Sequence, residues 1–266
     1  AAYFDAIGVK GAITEALVAG ERVDNVAIRF DCEWIVTSDA TVRYSDLRPH
    51  QFRARLAERP VAYLPLGTLE WHGEHLPLGA DAIISEGLMC ECASRFGGIV
   101  MPPIHLGPDR ATLQSDGGLL VGMDTAEGVT DPHRQLDGSC YWLSQGLFLQ
   151  LVDAILAQLK RAGFRAVFAD GHGPSRSSWV ANLPEREQRF GMNLLGVTAE
   201  VRQHWRSQMD HAARNETSLV MALRPKLADL GQLDEDRSVW PQGVGGQDPR
   251  DASANEGRQL LDASIP

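Results

Sequence analysis

From Tyr44 onward the apolar positions follow two periods. Val61 to Leu66 is a continuous apolar run, which reads as a buried strand, and Ile99 to Met101, Arg165 to Ala169 and Leu194 to Thr198 read as three more. Between these runs the spacing becomes helical. It predicts a helix over Ala82 to Phe96, with Asp81 as N-cap and Gly97-Gly98 as stop. A longer helix is predicted over Ser144 to Ala162, where Leu147, Leu151, Ile155 and Leu159 recur beside Phe148, Val152 and Leu156. Lys160 and Arg161 suit the negative end of its dipole, and Gly163 ends it. Asp46-Leu47-Arg48-Pro49 reads as a further helix start, with Phe52 and Leu56 one turn apart, and Pro174 opens a helix after the turn Gly171-His172-Gly173. Strands alternating with helices predict an α/β fold whose mainly parallel sheet is covered on both faces. Before Tyr44 the pattern is weaker: Ala12 to Ala19 fits a helix and Val26 to Phe30 a strand. Residues 1–43 are therefore read as an N-terminal extension without an assigned role, and 44–266 as the main domain.

Charge narrows the partners. With 35 acidic and 25 basic side chains the 266-residue chain has a net charge of -10, the opposite of the footprint that nucleic acid selects. No apolar run approaches the roughly 18 residues that span a bilayer. The start Ala1-Ala2-Tyr3-Phe4-Asp5 lacks the basic and apolar regions of a signal peptide, so no membrane association and a cytoplasmic location are expected. Cys32, Cys90, Cys92 and Cys140 are too few and too irregular for a disulfide framework, and Cys90 and Cys92, two apart on a helix, make a poor chelate and a good core pair.

In open α/β sheets ligands bind beyond the carboxyl ends of the strands. Two polar, glycine-bearing segments follow predicted strands here, Glu70 to Asp81 and Asp170 to Ser175. In the first, Glu70 and His72 are separated by one residue, which in extended backbone turns both to one side, and Asp81 can return to the same point. Two carboxylates and an imidazole are ligand types taken by zinc, manganese and iron, and buried together without a cation they would carry uncompensated charge. The second segment sets His172 between two glycines at a strand-to-helix turn. A third cluster, His211 with Glu216, Thr217 and Ser218, precedes an apolar helix ending near Arg224-Pro225.

These three motifs, Glu70-Trp71-His72-Gly73 with His75-Leu76-Pro77 and Asp81, Gly171-His172-Gly173, and His211-Ala212 with Glu216-Thr217-Ser218, resemble those of the creatininase (creatinine amidohydrolase) family, in that family's order. Gly243 to Pro249, followed by Ala252-Ser253, resembles the family's late loop, so the likeness covers roughly Tyr44 to Leu261. The resemblance implies a three-layer α/β/α sandwich, a homo-oligomer that is often a hexamer, and two divalent metals per chain (zinc, manganese or iron) that activate water to hydrolyse a C–N bond of a small cyclic or linear amide. Carried over by position, Glu70 and His172 with Asp81 would hold one ion and His72 with Asp81 the other, Asp81 bridging. Pro174 stands where the family's namesake has a ligating Glu, and Glu216 is expected to supply that carboxylate. His211 is the candidate acid for the leaving nitrogen.

The chain departs from the family at Trp71, Asp170, Ser175 and Ala213, which argues against creatinine as substrate. Trp71, His75, Asp170 and Ser175 are expected to contact substrate or to orient ligands. Pro174 also sustains a second reading, a single-metal or non-catalytic protein that binds a small ligand, while a metal-dependent lactone or ester hydrolase is the rival chemistry. The polar stretch Pro108 to Asp137 is too long for an ordinary connection and suits a substrate loop or an oligomer contact.

Overall fold

The computed structural model describes residues 28–30, 33–35 and 41–265, and the chain divides between Thr41 and Val42 into two units. In the first unit, β1 (Ile28–Phe30) and β2 (Glu33–Ile35) pair antiparallel, with Arg29 opposite Trp34. The strand expected over Val26 to Phe30 is described from Ile28, and the helix expected over Ala12 to Ala19 lies outside the described residues.

The second unit begins with α1 (Pro49–Glu58), β3 (Val61–Leu66), α2 (Ala80–Phe96) and β4 (Ile99–Val100). A hairpin of β5 (Ala111–Leu113) and β6 (Leu119–Val121) follows, then α3 (Gln145–Ala162) and β7 (Ala166–Gly171). The chain continues through α4 (Gly173–Ala181), α5 (Leu183–Phe190), β8 (Asn193–Gly196), the short α6 (Ala199–Arg202), α7 (Arg214–Leu223) and α8 (Ala254–Ser264). Four strands form one parallel sheet in the order β4-β3-β7-β8, with Ala62 opposite both Ile99 and Val167.

Alternation along the strands divides the core between the two faces of this sheet. Leu64, Leu66 and Val167 point to one face, against Phe148, Val152 and Leu156 of α3 and Trp179 of α4. Tyr63 and Phe168 point to the other, against Ile84, Leu88 and Met89 of α2, Leu219 of α7 and Leu261 of α8. This is the three-layer α/β/α sandwich with a parallel sheet. Cys90 and Cys92 pack with the second cluster, and both are free thiols. β3 leads through α2 to β4 on one side and pairs with β7 on the other, so the strand order reverses between β3 and β7. The crevice for a ligand opens at their carboxyl ends.

Several expectations change on folding. Asp81 is not a cap: α2 starts at Ala80 after Gly79, and the Asp81 carboxylate is instead drawn sideways by the amide of Gln208. On α3 the buried stripe is Phe148, Val152, Leu156 and Leu159, while Leu147 is half exposed, because the sheet covers only part of an apolar face seven residues wide. β7 runs two residues further than expected, to Gly171, and Pro174 is the second residue of α4 rather than its first. The stretch 108–137 holds the β5–β6 hairpin and a 3-10 turn at Gly122–Thr125. Among the described residues no helix is long and apolar enough to cross a membrane.

Candidate functional site

Three chain segments converge at the β3/β7 crevice, each held by a local device. After β3, the Glu70 N–H donates to the Leu78 carbonyl at 3.0 Å, folding residues 70–78 back so that Glu70 and His72 face Asp81 at the start of α2. At the end of β7, Gly171 has φ +151°, and any Cβ there would overlap the Leu66 carbonyl oxygen, which instead accepts the His172 N–H at 2.7 Å. Glycine alone lets the two strands stay this close. The third segment enters α7, where the Asp210 carboxylate accepts the N–H groups of Asn215 (2.8 Å) and Glu216 (3.1 Å), capping the helix that carries Glu216. Ala212, at φ +52°, bends the chain so that its own N–H donates to Glu216 Oε2 at 2.7 Å.

The result is two overlapping triads, Glu70–Asp81–His172 and His72–Asp81–Glu216, each with ligand atoms within 4.8 Å of one another and every member buried. His72 Nδ1 donates to the Glu70 carbonyl at 3.0 Å, which leaves Nε2 as a bare acceptor 3.6 Å from Asp81 Oδ2 and 3.7 Å from Glu216 Oε2. Neither His72 Nε2 nor Asp81 Oδ2 has a hydrogen-bond partner. His172 Nδ1 is likewise taken, by Ser175 Oγ at 3.1 Å, and its Nε2 lies 3.4 Å from Glu70 Oε1. Burial pushes His72 down to about 4, so its imidazole stays neutral. Burial, with Asp81 and Asp109 nearby, raises the Glu70 carboxyl well above its usual value, and burial with Asp81 and Asp210 does the same for Glu216. Unpartnered acceptors facing crowded carboxylates are a donor set that fits a divalent cation, which supplies the missing positive charge.

The other predicted residues surround this cluster. His211 joins it, its ring 4.5 Å from that of His72, and Glu70, His72 and His211 form a further group with metal-ligand spacing. Its Nε2 donates to the Trp71 carbonyl at 2.8 Å, and burial beside His72 pushes it down to about 3, so the resting imidazole is neutral. Trp71 itself packs beneath the late loop, its indole N–H donating to the Gln242 carbonyl at 2.8 Å, and it does not line the cavity. His75 contacts Thr217 Oγ1 at 3.0 Å and so braces α7 next to Glu216. Asp170 lies under the site, ion-paired with Arg176 and accepting the Trp205 indole N–H at 2.6 Å. Pro174 lines the cavity without a ligand atom.

Two further residues escaped sequence reasoning. Asp109, at the foot of the β5–β6 hairpin, brings Oδ2 within 3.5 Å of His172 Nε2. Gly122 makes room for it, since a Cβ there would overlap the Asp109 carboxylate. Gln208 donates to Asp81 Oδ1 at 2.8 Å and to the Asp81 carbonyl at 3.1 Å. The one sequence signal for Asp109 is a carboxylate next to Pro108 in an unusually long connection, and Gln208 carries none. Above the cluster opens a cavity of about 500 Å³, a size suited to a small ligand.

Residues 45–265 match the creatininase family model, described as creatinine amidohydrolase. The chain is 26% identical over 224 residues to a creatinine amidohydrolase of Pseudomonas putida, covering 76% of this chain and 79% of that protein. It is also 26% identical over 222 residues to the mycofactocin precursor peptide peptidase of Mycobacterium ulcerans (strain Agy99), covering 76% and 80%. Its fold is similar to a crystal structure of creatinine amidohydrolase (creatininase), with a TM-score of 0.64 at 21% identity over 85% of this chain and 94% of that one. Manganese and zinc–zinc forms of creatininase are among the similar folds.

Proposed function

Since this chain belongs to the creatininase family, we propose that it is a metal-dependent amidohydrolase holding two divalent ions, which hydrolyses a C–N bond of a small cyclic or linear amide other than creatinine. The observation that carries this reading is the pair of buried acceptors, His72 Nε2 and Asp81 Oδ2, held 3.6 Å apart with no donor for either. Glu70, Asp81 and His172 would hold one ion and His72, Asp81 and Glu216 the other, with zinc, manganese and iron all suited to such mixed ligands. Glu216 takes the part that Pro174 cannot play.

Ions of this kind acidify water and polarise a carbonyl when bound. The chain's own residues supply the rest. The Glu70 carbonyl fixes the tautomer of His72, so that it presents Nε2 as an acceptor, while Ser175 Oγ holds the His172 ring at Nδ1 with its Nε2 facing Glu70. With Nε2 committed to the Trp71 carbonyl, His211 is free to accept a proton at Nδ1 from the attacking water and to return it to the leaving nitrogen. His75, through Thr217, keeps the first turn of α7 in place.

Elemental analysis of the purified, untagged protein tests this reading, alongside the Glu216→Ala variant. Two ions per chain, falling to one in the variant, support a dinuclear hydrolase. One ion in the unmodified protein points to a site remodelled by Pro174, and none after reconstitution overturns the proposal in favour of a small-ligand-binding protein. Turnover of ester analogues without turnover of the matching amides would identify the rival lactone or ester chemistry. Assembly as a homo-oligomer, a hexamer in the family's usual form, is part of the same proposal and is tested by sedimentation.

A further inference from the structure

The cavity above the carboxylates has a second, opposite charge. Arg110, from the foot of the β5–β6 hairpin, Arg176, from α4, and Arg202, from the end of α6, all line it, although the chain as a whole is strongly acidic. Their situations differ. Arg176 is buried and committed: its Nε pairs with Asp170 and its Nη2 donates to Gln208 Oε1 at 3.1 Å. The guanidinium groups of Arg110 and Arg202 make no ion pair within 4.0 Å among the described residues, although the Arg110 backbone N–H donates to Asp109 Oδ1 at 2.7 Å. Arg202 Nη2 reaches only the Gln208 carbonyl, at 3.4 Å, which lays its side chain over the segment that carries Asp210 and His211. Partial burial and the nearby charge of Arg176 push its guanidinium down from its usual value, and Asp170, already paired with Arg176, offsets this in part.

The surrounding carboxylates do not supply that counter-charge. Glu70, Asp81 and Glu216 belong to the candidate metal ligands, and Asp109 is turned to His172 Nε2 and to the backbone N–H of Arg110. Asp210 is turned into the N-terminus of α7. What remains on the cavity wall without an ion-pair partner among the described residues is the guanidinium of Arg202 and that of Arg110, each a planar fork matched to carboxylate and phosphate oxygens.

We propose that Arg202 and Arg110 form a subsite for an anionic group of the substrate, so that the amide processed here carries a carboxylate or a phosphate apart from its scissile bond. This rests on the amidohydrolase reading for its chemistry, though not for its binding. The test uses metal-loaded protein and matched amides that differ only in the remote group: a carboxylate, a phosphate monoester, or the neutral carboxamide. An anionic member should show kcat/KM at least about tenfold above the neutral one. That ratio should fall to within about twofold of unity in Arg202→Ala, and Arg202→Lys should restore part of it, which separates charge from folding. The better of the two anions identifies carboxylate or phosphate.

An equal or reversed preference, or one that survives both Arg202→Ala and Arg110→Ala, overturns the subsite. If no member is turned over, the amidohydrolase reading fails, and calorimetric binding of the same compounds decides the subsite separately. Tighter binding of an anionic member that is lost in Arg202→Ala retains it, and equal binding of charged and neutral members removes it.

Discussion

Gln208 is the point at which the fold grips the carboxylate common to both candidate triads, and the Gln208→Leu variant tests that grip. Gln208 is buried and sits in the left-handed region at φ +51°, and its side chain makes three hydrogen bonds: two through Nε2 to Asp81 and one through Oε1 from Arg176. Leucine keeps similar bulk and removes all three. A hydrogen bond to an ionised group contributes about 1.5–3 kcal/mol and a buried polar group left unpaired costs about 1–3 kcal/mol, so the metal-free protein should lose roughly 3–5 kcal/mol. For a domain of this size that lowers Tm by roughly 6–20 °C. The functional effect is separate. Gln208 holds Asp81 Oδ1 and thereby leaves Oδ2 facing His72, and loss of such an outer partner typically weakens a metal site about 10–100-fold. Competition against a chromophoric chelator, at a temperature where both proteins are folded, measures this directly. Affinity within about twofold of the unmodified protein would show that the carboxylate is aimed by other contacts and would refute the argument.

Asp81→Ala should remove both ions, and elemental analysis that still finds two would end its shared role. In His211→Ala, turnover should fall by about 10²–10⁴-fold with metal content unchanged; loss of metal would instead move His211 into the ligand set with Glu70 and His72. The Tm difference between metal-loaded and metal-free protein should widen from pH 5 to pH 8. Glu70 and Glu216 have folded values raised above their unfolded ones, so in the metal-free protein their contribution to stability falls as pH rises, and cations displace those protons. A difference that does not change with pH contradicts this account of the cluster. Gly171→Ala should force β7 from β3 at the Leu66 carbonyl and lower both stability and metal content, which unfolding curves and elemental analysis measure together.

The parallel sheet, its helices on both faces and five converging residues, Glu70, His72, Asp81, His172 and Glu216, were legible along the chain. The sheet announces itself in short apolar runs, because a strand buried on both faces has no polar face to show. Glu70, His72 and His172 follow strand ends directly, where an α/β sheet must place its ligands. Contacts between distant segments were not legible. Gln208 reaches Asp81 across 127 residues, and Asp109 meets His172 only because the β5–β6 hairpin folds over the crevice. The contacts of the Asp81 carboxylate, the tautomer of His211 and the arginines that line the cavity all depend on such meetings. A periodic pattern reports which face of its own element is buried, whereas a carboxylate's partner and an imidazole's tautomer are set by whatever the tertiary fold brings within hydrogen-bond reach.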